Sequence, residues 1–139
     1  MIEEEGISRK EAIRRSNLRD AQKMEKHGWI IHALSDAPGG HTHGLREVFG
    51  HPDLEVMLPV DPQTIGVWLH AIVNAIKDGE VFADGEEVEG IFSCPVRFCD
   101  AIESGRSVLR VLFPDPQGRF PGELGCQPVF DEQMEGIAG

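Results

Sequence analysis

Two short stretches carry residue types that can do chemistry close together: His41-Thr42-His43 and His51-Pro52-Asp53. Side chains alternate between faces along a strand, so His41 and His43 would present two imidazoles on one face. His51 or Asp53 could add a third nitrogen or oxygen ligand. Three such ligands with an open position suit a zinc or iron centre. The enzymatic reading is therefore a metal-assisted hydrolase using His41, His43 and His51 or Asp53. Against it stands a plainer reading, two exposed histidines on a polar loop edge, which is what motifs this loose mostly are. His51 has its own pair of readings. A near-neutral imidazole in a pocket suits a general base or a ligand contact. A histidine before proline can equally spend a ring nitrogen on a backbone carbonyl and fix the connection.

A second polar block lies at Pro114-Asp115-Pro116-Gln117-Gly118-Arg119. Asp115 is placed to cap the turn with its own side chain. Arg119 is a residue that can clamp a carboxylate or phosphate bidentately. If the two blocks meet, Thr42, His51, Asp115 and Arg119 line one polar cleft. Cys94, Cys99 and Cys126 are an odd, scattered set with no C-x-x-C spacing. They read as ordinary reduced thiols rather than a disulfide frame.

The elements that must position these residues are legible in part. Ser8-Arg9-Lys10-Glu11 has the form of a capping box, predicting a basic helix over residues 9–26 that ends at Gly28. Its apolar stripe (Ile13, Leu18, Ala21, Met24) is thin, so it would pack at an edge or against a second copy of the chain. Residues 29–34, 41–45 and 54–58 read as strands, with Arg46 to Pro52 as a connection. Asp61-Pro62 opens the strongest helix, residues 62–78, with Ile65, Trp68, Leu69, Ile72, Val73 and Ile76 at helical spacing. A turn-rich excursion around Asp84-Gly85 follows. Ile91-Phe92, residues 96–101 and residues 108–113 have strand character, and a closing turn of helix is expected near Glu132. Two helices outside any βαβ alternation argue an α+β fold with a largely antiparallel sheet and one core helix on one face. Residues 28–139 then form a single domain, and residues 1–27 a helical extension.

Charge narrows the partners. The formal net charge of −11 divides unevenly, about +1 over residues 1–26 and −12 over the remainder. An acidic body repels phosphate backbones, so nucleic acid is disfavoured as a partner. There is no apolar run long enough to span a membrane and no apolar leader, so a cytoplasmic protein is expected.

Several of these residues also recur together in a known order. Gly28-Trp29 precedes the first strand, Thr42-x-Gly44-Leu45 precedes His51-Pro52-x-Leu54, the core helix ends at Gly79 with Phe82 soon after, and Pro114-Asp115-x-x-Gly118-Arg119-Phe120-Pro121 precedes Gln127-Pro128. In this order and spacing the chain, from about Gly28 to Phe130, resembles the bacterial family of domain of unknown function 4262. The resemblance implies a small cytosolic bacterial or phage-borne protein and carries no established activity or cofactor. The chain departs from the family pattern at His41, where an aromatic residue is usual, and at His43, where an aliphatic one is. It also departs at Asp53, where Glu is usual, and at Gly122, where Trp is. A pocket there would be more polar in this member. No catalytic set is recognisable, so the leading reading is a binding or accessory protein. It would take a small polar ligand or a protein partner in a cleft near His51 and Arg119.

Overall fold

The structure, a computed structural model, describes residues 28–33 and 39–135. The helix expected over residues 9–26, and with it the contact between copies of the chain, lies outside the described residues. The fold is α+β. Six strands form one sheet: β1 (Ile30–Ala33), β2 (Gly40–His43), β3 (Leu54–Val56), β4 (Glu87–Val88), β5 (Val96–Glu103) and β6 (Arg106–Leu112). Their spatial order is β1-β2-β3-β6-β5-β4. Neighbours pair antiparallel except β3 and β6, which run parallel with Leu54 opposite Leu109 and Val56 opposite Val111. The sheet is thus mixed, because the chain returns to β3 only after the core helix and β4–β5 have been laid down.

The core helix covers one face of the sheet. A short helix, α1 (Leu45–Phe49), precedes it, and α2 runs from Pro62 to Lys77. The start of α2 follows from its sequence: Asp61 accepts the Thr64 backbone N–H at 2.9 Å and the Thr64 hydroxyl at 2.7 Å, and Pro62 occupies a first-turn position that needs no donor. Ile65, Leu69, Ile72, Val73 and Ile76 are buried along one side, while Val67 on the other is exposed. The buried side packs with Leu54, Val56, Phe98, Leu109 and Val111 in a single core. Trp68 is partly buried beside it, its ring 4.6 Å from that of Phe113. No helix among the described residues is long and apolar enough to cross a membrane.

Two expectations change. The connection after His43 contains α1, whose first turn is tied down because the Leu45 N–H donates to the Asp53 carboxylate at 3.0 Å. Ile91-Phe92 is not a strand: Gly90 and Pro95 bracket it, and it bends across the core with its side chains partly buried.

Gly40 sets which side of β2 faces the helix. A Cβ at this position would lie 2.7 Å from Ile65 Cγ2 and 2.9 Å from the His32 carbonyl oxygen, so α2 sits directly over it. Alternation then sends His41 and His43 to the opposite face. Gly40→Ala should push α2 off the sheet and cost about 1–3 kcal/mol. Equilibrium denaturation would read this, and an unchanged midpoint would contradict the close approach.

Candidate functional site

The face of the sheet away from α2 is polar, and its histidines come together there. The β1–β2 register pairs His32 with His41 and Ile30 with His43. All three histidines therefore share one face, in which His41 and His43 are neighbours along one strand and His32 lies across from His41. The Nε2 atoms of His41 and His43 are 2.9 Å apart, one ring donating and the other accepting. Their ring centroids are 4.6 Å apart, and the His32 ring lies 5.5 Å from that of His41 and 6.1 Å from that of His43. One nitrogen from each of the three rings lies within 4.8 Å of the other two.

The charge around the trio is arranged by the tip of the β5–β6 hairpin. Ser104 and Gly105 both take positive φ, 50° and 83°, as a two-residue hairpin turn requires, and this sets Glu103 opposite Arg106. Arg106 Nε donates to Glu103 Oε1 at 3.0 Å, Nη1 to Asp53 Oδ2 at 3.0 Å, and Nη2 to the Thr42 carbonyl at 2.7 Å. Its guanidinium is thus held between two carboxylates and the strand that carries the histidines. The second Glu103 oxygen accepts the Ser104 hydroxyl at 3.0 Å and lies 3.9 Å from His41 Nδ1.

This setting disfavours protonation of His41 and His43. Burial lowers the His41 pKa to about 4; Glu103 opposes the shift, and His43, Arg106 and His32 add to it. Burial also lowers the His43 pKa, with Arg106 next in effect and Asp53 opposing. Neutral imidazole is the form that ligates a metal. At metal–nitrogen bonds of about 2.1 Å, tetrahedral donors stand about 3.4 Å apart. One pair of nitrogens lies at 2.9 Å and all three lie within 4.8 Å, so small ring movements would be needed to reach that spacing.

The other residues singled out in the sequence are placed elsewhere or occupied. Asp53 is a junction: its Oδ1 accepts the Thr42 hydroxyl at 2.8 Å as well as Leu45 N–H, and its Oδ2 takes Arg106. Thr42 is fully buried and its hydroxyl oxygen accepts the Leu54 N–H at 2.9 Å. His51 is buried, with Nδ1 2.9 Å from the Pro52 carbonyl and Nε2 accepting the Phe82 N–H at 3.0 Å. Both of its nitrogens therefore meet backbone.

Asp115 is buried in the loop after β6, where it accepts the backbone N–H groups of Gln117, Arg119 and Gln127 at 3.0, 2.9 and 3.1 Å. Burial pulls its carboxyl pKa upward, but these N–H groups and the Arg119 guanidinium outweigh it and hold the pKa low. Arg119 Nε sits 3.3 Å from Asp115 Oδ2. Among the described residues no hydrogen bond or ion pair joins Thr42 or His51 to Asp115 or Arg119.

Sequence reasoning missed His32, Glu103 and Arg106. His32 had a signal: antiparallel pairing of the two strands on either side of the Pro-Gly-Gly breaker sets it against His41. Glu103 and Arg106 flank a Ser-Gly turn, which could have placed them opposite each other.

No curated protein and no solved structure matches the chain significantly. The model of one family, described as domain of unknown function (DUF4262), matches residues 23–127. That span covers most of the 139 residues, and the chain belongs to this family of unknown function.

Proposed function

We propose that this protein binds a divalent transition-metal ion through His32, His41 and His43. The observation that carries the reading is the convergence of three ring nitrogens within 4.8 Å on one sheet face. The lowered pKa values of His41 and His43 support it, because no proton has to be displaced from these rings at neutral pH. Nitrogen donors favour zinc, nickel, cobalt or copper over magnesium or calcium. Three protein ligands leave a position for water or a substrate oxygen, the arrangement of catalytic rather than structural zinc centres. Metal-assisted hydrolysis at that position is the chemistry this reading admits. Its ligand set takes His32 in place of His51 or Asp53, because His32 supplies the third nitrogen within 4.8 Å of the other two. A cleft near His51 and Arg119 for a polar ligand or protein partner is the weaker reading, because both ring nitrogens of His51 meet backbone.

Calorimetric titration of untagged, metal-stripped protein with Zn²⁺, Co²⁺ or Ni²⁺ tests it. One equivalent should bind, and at a hundredfold excess over Kd it should stabilise the fold by about 2.7 kcal/mol. His41→Ala and His43→Ala should each remove that binding. Absence of uptake, or uptake unaffected by these substitutions, would refute the reading.

A further inference from the structure

We infer that Glu103 acts as the outer carboxylate of this centre, a positioning residue that holds His41 in the tautomer and orientation needed to ligate a metal through Nε2. The inference rests on the metal reading above and adds to it a residue that is not itself a ligand.

The geometry of the His41 ring carries the argument. Its two nitrogens have different neighbours: Nε2 lies 2.9 Å from the Nε2 of His43, and Nδ1 lies 3.9 Å from Glu103 Oε2. A neutral imidazole that ligates through one nitrogen must carry its proton on the other, and such a ligand almost always donates that N–H to a carboxylate, a carbonyl or water. Glu103 is the carboxylate on that side. It lies outside the ligand cluster, which comprises only the three histidines.

Glu103 is also held in place. Its backbone is set by the tight β5–β6 turn, and its two oxygens accept from Arg106 Nε and the Ser104 hydroxyl, both at 3.0 Å. The contact of 3.9 Å is longer than a hydrogen bond. A bound cation would withdraw electron density and make Nδ1–H a stronger donor, and a small rotation of the His41 ring or of Glu103 would close the gap.

One consequence concerns the proton shared inside the cluster. With His41 protonated at Nδ1, its Nε2 would be the acceptor and His43 would supply the N–H between the two rings. Metal entry would then require a tautomer change at His43.

The test uses Zn²⁺ alone with the full chain. In zinc-loaded wild type, long-range ¹H–¹⁵N NMR of the imidazoles should show a slowly exchanging, downfield His41 Nδ1–H. Glu103→Gln should lose or shift that proton upfield and weaken Zn²⁺ binding by about 10–100-fold. A thermal melt of the metal-free variant would establish that the fold is intact. Zinc affinity of Glu103→Gln within twofold of wild type would overturn the assignment. So would a zinc-loaded wild type whose His41 proton sits at Nε2 or exchanges freely; that measurement needs no variant. If wild type takes up no zinc, the metal reading itself fails, which is a different result.

Discussion

Arg110→Ala is expected to cost about 3–5 kcal/mol, a large part of the total stability of a domain this size. Arg110 lies in the middle of β6 on the face opposite α2, directly across from Glu55 of β3. Its Nε donates to Glu55 Oε1 at 2.8 Å, and the two side chains are only 3% and 6% exposed. Its Nη1 donates to the carbonyls of Gln133 and Glu135 at 2.9 and 2.6 Å. Removing the guanidinium strands a buried carboxylate and two carbonyls at once, and it leaves the C-terminal segment tied through the Gln133 side chain to Phe113, just after β6. Replacing both partners together, Arg110→Met with Glu55→Leu, should cost far less than Arg110→Ala, because no charge is left buried without a counter-ion. Urea denaturation of the two variants and wild type would show this order. Arg110→Ala with a wild-type midpoint would mean that the pair contributes nothing.

The metal-free protein should lose stability as pH falls from about 6.5 toward 4. His41 has an ordinary pKa of 6.5 when unfolded and about 4 when folded. Above 6.5 both states are neutral at this ring and it contributes nothing to the pH dependence. As pH falls through 6.5 the unfolded chain takes a proton that the folded one refuses, so the folded state is disfavoured. The loss is complete once pH drops below the folded value, and it amounts to at most about 3 kcal/mol for this one ring. His43, also shifted downward by burial, acts in the same direction. Carboxylates titrate in the same range, so the useful quantity is a difference. The gap in stability between pH 7.5 and pH 4.5 should be smaller in His41→Gln than in wild type. Equal gaps would show that the ring is not held neutral.

How much of this was legible in the sequence depends on the range of the interaction. Helix α2 was legible because its signals are local: Asp61-Pro62 at the start, an apolar stripe, and Gly79 after its last residue. The hydrophobic strands were legible for the same reason, although β5 and β6 extend to the turn at Ser104-Gly105 beyond their apolar stretches. The parallel join of β3 to β6 was not, because nothing local in Leu54–Val56 specifies a partner 55 residues away. The candidate site divides along the same line. His41 and His43 share a face through strand alternation alone. His32 needs the register of the β1–β2 hairpin, and Glu103 needs the whole sheet. His51, Asp115 and Thr42 drew attention as polar residues in a recurring motif. In the structure they bond to backbone and to neighbouring side chains, a role that motif position does not separate from ligand contact.

The parallel join also carries a greater loop-closure cost than the hairpins. The β1–β2 and β5–β6 pairs each close over a short stretch of chain, whereas β3 and β6 must find each other across a long one. The three imidazoles all belong to the first of these local units. Their convergence therefore does not wait for the sheet to be completed, but the arrival of Glu103 and Arg106 beside them does. An ion present during folding would meet its donors before it meets the carboxylate behind them. Completion of the sheet would then be the step that sets Glu103 and Arg106 beside the three nitrogens.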